Sequence, residues 1–183
     1  MTKRGIVAAV GHSYASYEEV LAGIKAGISH ICHAYNPQRE FHHREPGIVG
    51  AALSEERLMC ELIADGYHLH PAATKILWKA RGTGCIDLVT DSTPPASLQE
   101  GEYDFYGRKV VVKGSKCVIP RPPVSSALEG TPQAEGETLA GSIATMSEDV
   151  RNMVGLAGVL LQDASKMVTA NPAREFALDN KEG

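Results

Sequence analysis

Ala26-Gly27-Ile28-Ser29-His30-Ile31-Cys32-His33 is a short, largely apolar run that follows a glycine and ends on an imidazole. The chain continues from it through Ala34-Tyr35-Asn36-Pro37 to Phe41-His42-His43-Arg44-Glu45-Pro46-Gly47. Read as a buried strand, the run delivers His33 to a loop that carries Asn36 and Arg44 and closes on a rigid Glu-Pro-Gly turn. An imidazole at a strand end, beside an amide and a guanidinium, has the chemistry to hold a metal ion and an anion together. A single histidine placed this way is more often a packed core residue. Recurrence separates the two readings.

The same arrangement appears before and after this run. Gly5-Ile-Val-Ala-Ala-Val10, small and branched residues without a polar break, reads as a buried parallel strand that ends on Gly11-His12-Ser13. Ser16 and Glu19 then form a capping box, with Val20, Leu21 and Ile24 on one face of the helix and Gly27 stopping it. A third strand, Leu58 to Ala64, runs into Asp65-Gly66-Tyr67-His68. Pro71 suits the first turn of the next helix, whose inner face is expected to carry Ile76, Leu77 and Ala80, with Gly82 at the exit. A fourth strand, Cys85 to Thr90, ends on Asp91. Between the second and third strands the spacing predicts a long loop through Gly50-Ala-Ala-Leu53 and Ser54-Glu-Glu-Arg57. Strand and helix in alternation imply an α/β chain with parallel pairing, and ligands of such sheets collect at the carboxyl ends of the strands. His12, His33, His68 and Asp91 fall there, one from each strand.

Beyond Asp91 the pattern changes. Glu102 to Tyr106, Lys109 to Lys113 and Lys116 to Ile119 read as an antiparallel β insertion over about 101–119. The Pro-, Ser- and Gly-rich stretch of about 120–137 reads as a mobile loop. Leu139-Ala140-Gly141-Ser142 follows. Thr145 and Glu148 form a second capping box opening a helix through Val150, Met153 and Val154. Leu160 to Val168 reads as another helix, and Asn171-Pro172 as the cap of a short last one.

With 183 residues, 43% hydrophobic and 22% charged, the chain is the size of one domain with an ordinary soluble composition. A net charge of -4 gives no basic footprint for nucleic acid. No apolar run approaches the ~20 residues of a membrane span, and the first residues lack a signal-peptide core. Four cysteines without a Cys-x-x-Cys pair suit free thiols in a reducing, cytoplasmic setting.

These motifs resemble the N-acetylglucosamine-6-phosphate deacetylases, amidohydrolases built on a (β/α)8 barrel. The resemblance is carried by Gly11-His12-Ser13, His30-Ile-Cys-His33-Ala-Tyr-Asn36, His42-His-Arg-Glu-Pro-Gly47, Ala64-Asp-Gly-Tyr-His68, Leu88-Val-Thr-Asp91, Leu139-Ala-Gly-Ser142 and Asn171-Pro-Ala-Arg174, in the family's order. It implies that residues 1–183 are the C-terminal half of a TIM-type barrel, strands five to eight with their helices plus the antiparallel insertion. The N-terminal half-barrel and most of a small β-sandwich are then missing. It implies His12 and His33 as two ligands of one divalent metal ion, zinc first, with iron, manganese or cobalt also compatible. It implies Asp91 as the acid/base, and Asn36, Pro37, Arg44, Asp65, Gly66, Tyr67 and His68 as the sugar-phosphate site. Leu139, Ala140 and Gly141 resemble the loop that closes over the sugar. Arg44 is expected to reach phosphate across a dimer interface. The expected partners are a small-molecule sugar phosphate and a second copy or the missing N-terminal half, with no nucleic acid and no membrane.

Two departures qualify the resemblance. The glutamate that completes the family's principal metal site lies in the missing half. Pro37 stands where the family has a small residue with a free amide, and proline has no N–H to offer phosphate. The competing reading is a truncated, non-catalytic remnant, or one half of a split enzyme, that at most binds a sugar phosphate or a partner chain. A different amidohydrolase ranks behind both, because such enzymes usually lack the His-His-Arg-Glu-Pro-Gly loop. His30 is expected to be structural, His42 and His43 solvated, and His70 a helix-start residue.

Overall fold

Buried runs of three or four residues form the first layer of structure. In the computed structural model, which describes residues 4–120 and 137–178, β1 (Ala8–Val10), β2 (Ile28–Ile31), β3 (Met59–Leu62) and β4 (Ile86–Leu88) pair in parallel in chain order. Ala9 stands opposite His30, Ile31 opposite Cys60, and Glu61 opposite Asp87. Each strand is shorter than its apolar run.

Helices follow the strands as the caps require. α1 (Tyr17–Lys25) starts behind the Ser16–Glu19 capping box and buries Val20 and Ile24. α3 (Pro71–Arg81) begins at Pro71, and the His70 ring caps it by accepting the Ala72 N–H. Its buried face is Thr74 and Leu77, whereas Ile76 is 55% exposed and Ala80 also faces out. The helical phase thus follows Thr74, Leu77 and Arg81, a spacing of three to four that leaves Ile76 on the outer side.

The expected loop between β2 and β3 contains a helix, α2 (Gly47–Ser54), with six buried residues from Gly47 to Ala52. Gly-Ile-Val-Gly-Ala-Ala has no polar face, so its sequence carries no helical period. An all-apolar helix is simply buried on every side.

α4 (Met146–Asn152) stops earlier than the apolar pattern suggests, and Met153–Ala157 winds on as a π turn closed by Gly158 in the left-handed conformation. Here Met153 is buried and Val154 partly exposed. α5 (Leu161–Val168) and α6 (Ala170–Glu175) complete the unit. Asn171 lies inside α6 rather than capping it. Its amide donates to the carbonyls of Thr83 and Ile86, both at 2.7 Å, and so ties α6 to the start of β4.

Residues 1–89 and 146–183 form one unit and residues 90–145 another. The first is built on one core that includes Ile31, Leu62, Leu77, Ile86, Met153 and Met167. Each such side chain contributes about 1.5–3 kcal/mol by burial. The second unit is an antiparallel sheet of β5 (Gly101–Phe105), β6 (Arg108–Lys113), β7 (Lys116–Pro120) and β8 (Glu137–Leu139) in that order. Val110, Cys117 and Ala140 form its core. β8 adds a strand to the expected meander. The stretch expected to be mobile falls, between its end residues, outside the described residues. Among the described residues no helix is long and apolar enough to cross a membrane.

Candidate functional site

His12 lies two residues past β1 and His33 two residues past β2. Parallel pairing of these strands brings the two rings together, with centroids 4.7 Å apart and planes inclined by 53°. Both residues have positive φ, +33° for His12 and +25° for His33. A side chain other than glycine pays on the order of 1–3 kcal/mol for such a backbone, and it persists only where the surroundings impose it. The surroundings here are tight. A Cβ added to Gly11 would sit 2.9 Å from Cys32 Cβ and 3.6 Å from His33 Cε1. His33 Nδ1 is buried with no hydrogen-bond partner. An orphaned ring nitrogen beside a second imidazole fits two ligands of a metal ion. Catalytic zinc sites take three protein ligands, and among the described residues no group of three or more His, Cys, Asp or Glu is arranged to hold one.

The loop after His33 is stapled to itself. Asn36 N–H donates to the His33 carbonyl at 2.9 Å, and its side-chain amide donates to the Ala34 carbonyl at 3.2 Å. Gln38, which the motif reading passed over, accepts from Tyr35 N–H and donates to the Cys32 carbonyl. Pro37 therefore sits in a turn whose neighbours are already bonded. Arg44 is exposed, and its guanidinium meets His43 Nε2 at 2.8 Å. Glu45 accepts N–H groups from Tyr17 and Gly47, capping α1 and opening α2 together. That explains the Glu-Pro-Gly turn structurally.

Asp65 is also turned inward. Oδ1 accepts from Tyr67 and His68 N–H at 2.8 and 2.9 Å, and Oδ2 lies 2.7 Å from His68 Nδ1. Burial pushes this carboxyl up, but the His68 ring and the two N–H groups outweigh it and hold it down at about 2. An ionised Asp65 fixes the proton on His68 Nδ1 and leaves the other ring nitrogen for a further partner. Gly66 takes φ +80° and Tyr67 is 45% exposed. A small hollow beside the loop is lined by Ala64, Gly66, Leu69, Asn152 and Leu156.

Asp149 on α4 is fully buried, and neither of its oxygens is bonded. Burial pushes its carboxyl up to about 7 from the ordinary 3.8, with Asp65 and Glu148 adding and His68 opposing. The native chain therefore keeps a proton there that the unfolded chain loses near 3.8. Folding stability contributed by this group falls as pH rises from about 4 to about 7. Asp149→Asn is expected to raise the melting temperature by more at pH 8 than at pH 4. Equal shifts at the two pH values, or a larger one at pH 4, would count against this.

In the second unit, Asp91 lies three residues beyond the end of β4 in sequence and has φ +48°. The expected sugar loop is beside it. Ser142 N–H donates to the Asp91 carbonyl at 2.9 Å, and Thr93 N–H donates to the Ser142 carbonyl at 3.0 Å. Gly141, at φ +67°, has no room for a side chain, since a Cβ would stand 2.7 Å from the Asp91 carbonyl and 3.4 Å from its Oδ2. Leu139 ends β8, and Ala140 is buried with its N–H on the Cys117 carbonyl. The residues after Asp91 and after Gly141 are thus joined by an isolated bridge between Ser92 and Ser142.

The reading of His30 as structural holds. It is 3% exposed, and Nε2 meets Glu61 Oε1 at 3.2 Å. Glu61 was not singled out in the sequence. Its other oxygen accepts the His33 N–H at 3.1 Å. Burial pushes the Glu61 carboxyl up, yet His30 and the His33 N–H together bring it below its ordinary range. Asp87, opposite Glu61, is pushed up to about 6 by burial.

The architecture is of the parallel α/β class, with imidazoles held in strained turns past its first two strands. No protein-family model matches the chain. It is 35% identical over 178 residues to N-acetylglucosamine-6-phosphate deacetylase of Bacillus subtilis (strain 168), covering 97% of this chain and 41% of that protein. It is also 35% identical over 170 residues to N-acetylgalactosamine-6-phosphate deacetylase of Escherichia coli O157:H7, covering 93% and 41%. Among solved structures, the N-acetylglucosamine-6-phosphate deacetylase of Thermotoga maritima superposes with a TM-score of 0.85 at 33% identity, covering 98% of this chain and 46% of that one. An aspartate-to-alanine variant of the Mycobacterium smegmatis deacetylase, in complex with N-acetyl-D-glucosamine-6-phosphate, gives 0.83 at 29% identity, covering 96% and 44%. The chain spans about two fifths of the length of the curated relatives it matches. Along nearly its whole own length, it is similar to the N-acetylglucosamine-6-phosphate deacetylases.

Proposed function

We propose that the chain supplies the His12–His33 half of a metal-dependent deacetylase site that hydrolyses the acetamide of N-acetylglucosamine 6-phosphate to glucosamine 6-phosphate and acetate. The observation that carries this reading is the pair of strained imidazoles 4.7 Å apart, one with an orphaned buried nitrogen, in a chain so similar to the deacetylases. The four parallel strands are then half of a (β/α)8 barrel, and the remaining strands and the third metal ligand come from outside the described residues.

A divalent ion held there, zinc or equally iron, manganese or cobalt, would polarise the amide carbonyl and bring the pKa of water towards ~7. Asp91 takes a proton from the attacking water and returns it to the nitrogen as the C–N bond breaks and the C–O bond forms. His68, fixed by Asp65, and Asn36 orient the sugar with Gly66 and Tyr67. Arg44 forks onto phosphate, a bidentate contact that lysine does not make, and reaches it from the second copy of a dimer. Pro37 withholds one backbone donor from that phosphate. Leu139–Gly141 closes over the ring. Four free cysteines support a reducing, cytoplasmic setting.

The test is acetate release from N-acetylglucosamine 6-phosphate, with the galactosamine epimer run beside it, by metal-loaded protein. Turnover on either sugar supports the reading, and the ratio of the two sets the specificity. A folded, metal-loaded and fully assembled sample that releases no acetate overturns it. The incomplete ligand set among the described residues favours a second reading, a non-catalytic remnant or split half that binds a sugar phosphate or partner chain. That reading predicts ligand binding without acetate.

A further inference from the structure

Glu61 is the one charged side chain of β3, a strand otherwise made of Met59, Cys60 and Leu62. Its carboxylate is shared between two histidines of the neighbouring strand and turn. Oε1 lies 3.2 Å from His30 Nε2, and Oε2 accepts the His33 N–H at 3.1 Å. The backbone of the same residue also acts, because its carbonyl accepts the Ala34 N–H at 2.8 Å. Residue 61 therefore grips both residues of the turn in which His33 is held at φ +25°. The grip is backed in turn. His30 is 3% exposed, so burial holds the ring that steadies Glu61; its Nδ1 makes no hydrogen bond, and the Glu175 carboxylate stands 3.6 Å away.

We propose that Glu61 is a positioning residue for the metal site, fixing the strained turn that aims His33 by accepting its backbone N–H while anchored on His30. This rests on His12 and His33 being metal ligands. Partners behind metal ligands typically control affinity by 10–100-fold when removed. Here the partner holds the ligand's main chain rather than its ring, so its effect comes from reach and not from charge.

That distinction defines the experiment. The fully assembled protein, as wild type and as the variants Glu61→Leu, Glu61→Gln, Glu61→Asp, Glu175→Gln and His33→Ala, is titrated with Co²⁺ by visible absorption, and each is melted in parallel. Glutamine keeps an oxygen for the His33 N–H and an amide for His30, whereas aspartate keeps the charge but falls one methylene short. Expected are a Co²⁺ affinity lower by about 10–100-fold for Glu61→Leu, a smaller loss for Glu61→Asp, and recovery in Glu61→Gln. Glu175→Gln should lower the melting temperature without changing Co²⁺ affinity. If Glu61→Leu does not fold, the order of glutamine above aspartate carries the test. Aspartate binding better than glutamine, or Glu175→Gln losing affinity as Glu61→Leu does, overturns the inference. So does unchanged binding in Glu61→Leu while His33→Ala loses it, an outcome that leaves the metal pair standing. Unchanged binding in His33→Ala removes the metal pair, and the inference with it.

Discussion

Replacing His33 with alanine is expected to lower affinity for Zn²⁺ or Co²⁺ by more than the 10–100-fold that outer partners command, while the fold survives. The reasoning is local. His33 Nδ1 is buried without a partner, and its ring lies 4.7 Å from that of His12, so the ring contributes little to the core that its loss could undo. The hydrogen bonds that shape the turn, from His33 N–H to Glu61 and from Asn36 N–H to the His33 carbonyl, are main-chain bonds that alanine retains. Metal affinity and stability therefore separate in this variant. Competition against a chelator measures the first and circular dichroism the second. Loss of both together would recast His33 as a packing residue.

Asp91→Asn should lower turnover by about 10²–10⁴-fold, the usual contribution of a positioned acid or base, with metal content unchanged. Asparagine suits the site because it tolerates the left-handed backbone as aspartate does, and Asp91 has φ +48°. The Ser142 N–H to Asp91 carbonyl bond is likewise untouched. Only the ability to carry the proton is removed. Steady-state kinetics on the assembled, metal-loaded enzyme decide it. Turnover within a few-fold of wild type, on the ordinary scale of such effects, would move the acid/base role elsewhere.

Most of the scaffold could be read from the residues. Strand runs ending on His12, His33, His68 and Asp91, the Ser16–Glu19 box and Pro71 announce parallel units, because each is a local signal whose meaning does not depend on tertiary contacts. α2 was hidden for the opposite reason. Gly47–Ala52 is buried all round, and without a polar face there is no period to detect. β8 is three residues long and exists only through its pairing with β7. The positive φ of His12, His33 and Asp91 is a backbone conformation that no spacing rule announces. Glu61 did leave a trace. His30, Glu61 and Asp87 are polar residues inside three buried strands, and such residues must find one another.

The left-handed turns at positions 12, 33 and 91 have an evolutionary consequence. A selection for heat resistance alone would drift towards glycine wherever the strain relieved exceeds the chain entropy that glycine loses on folding. Every step would make the chain hardier and strip a group from the proposed chemistry. Retention of His12, His33 and Asp91 against that pull would therefore be a signature of working enzymes, and their decay the first mark of a copy released from catalysis.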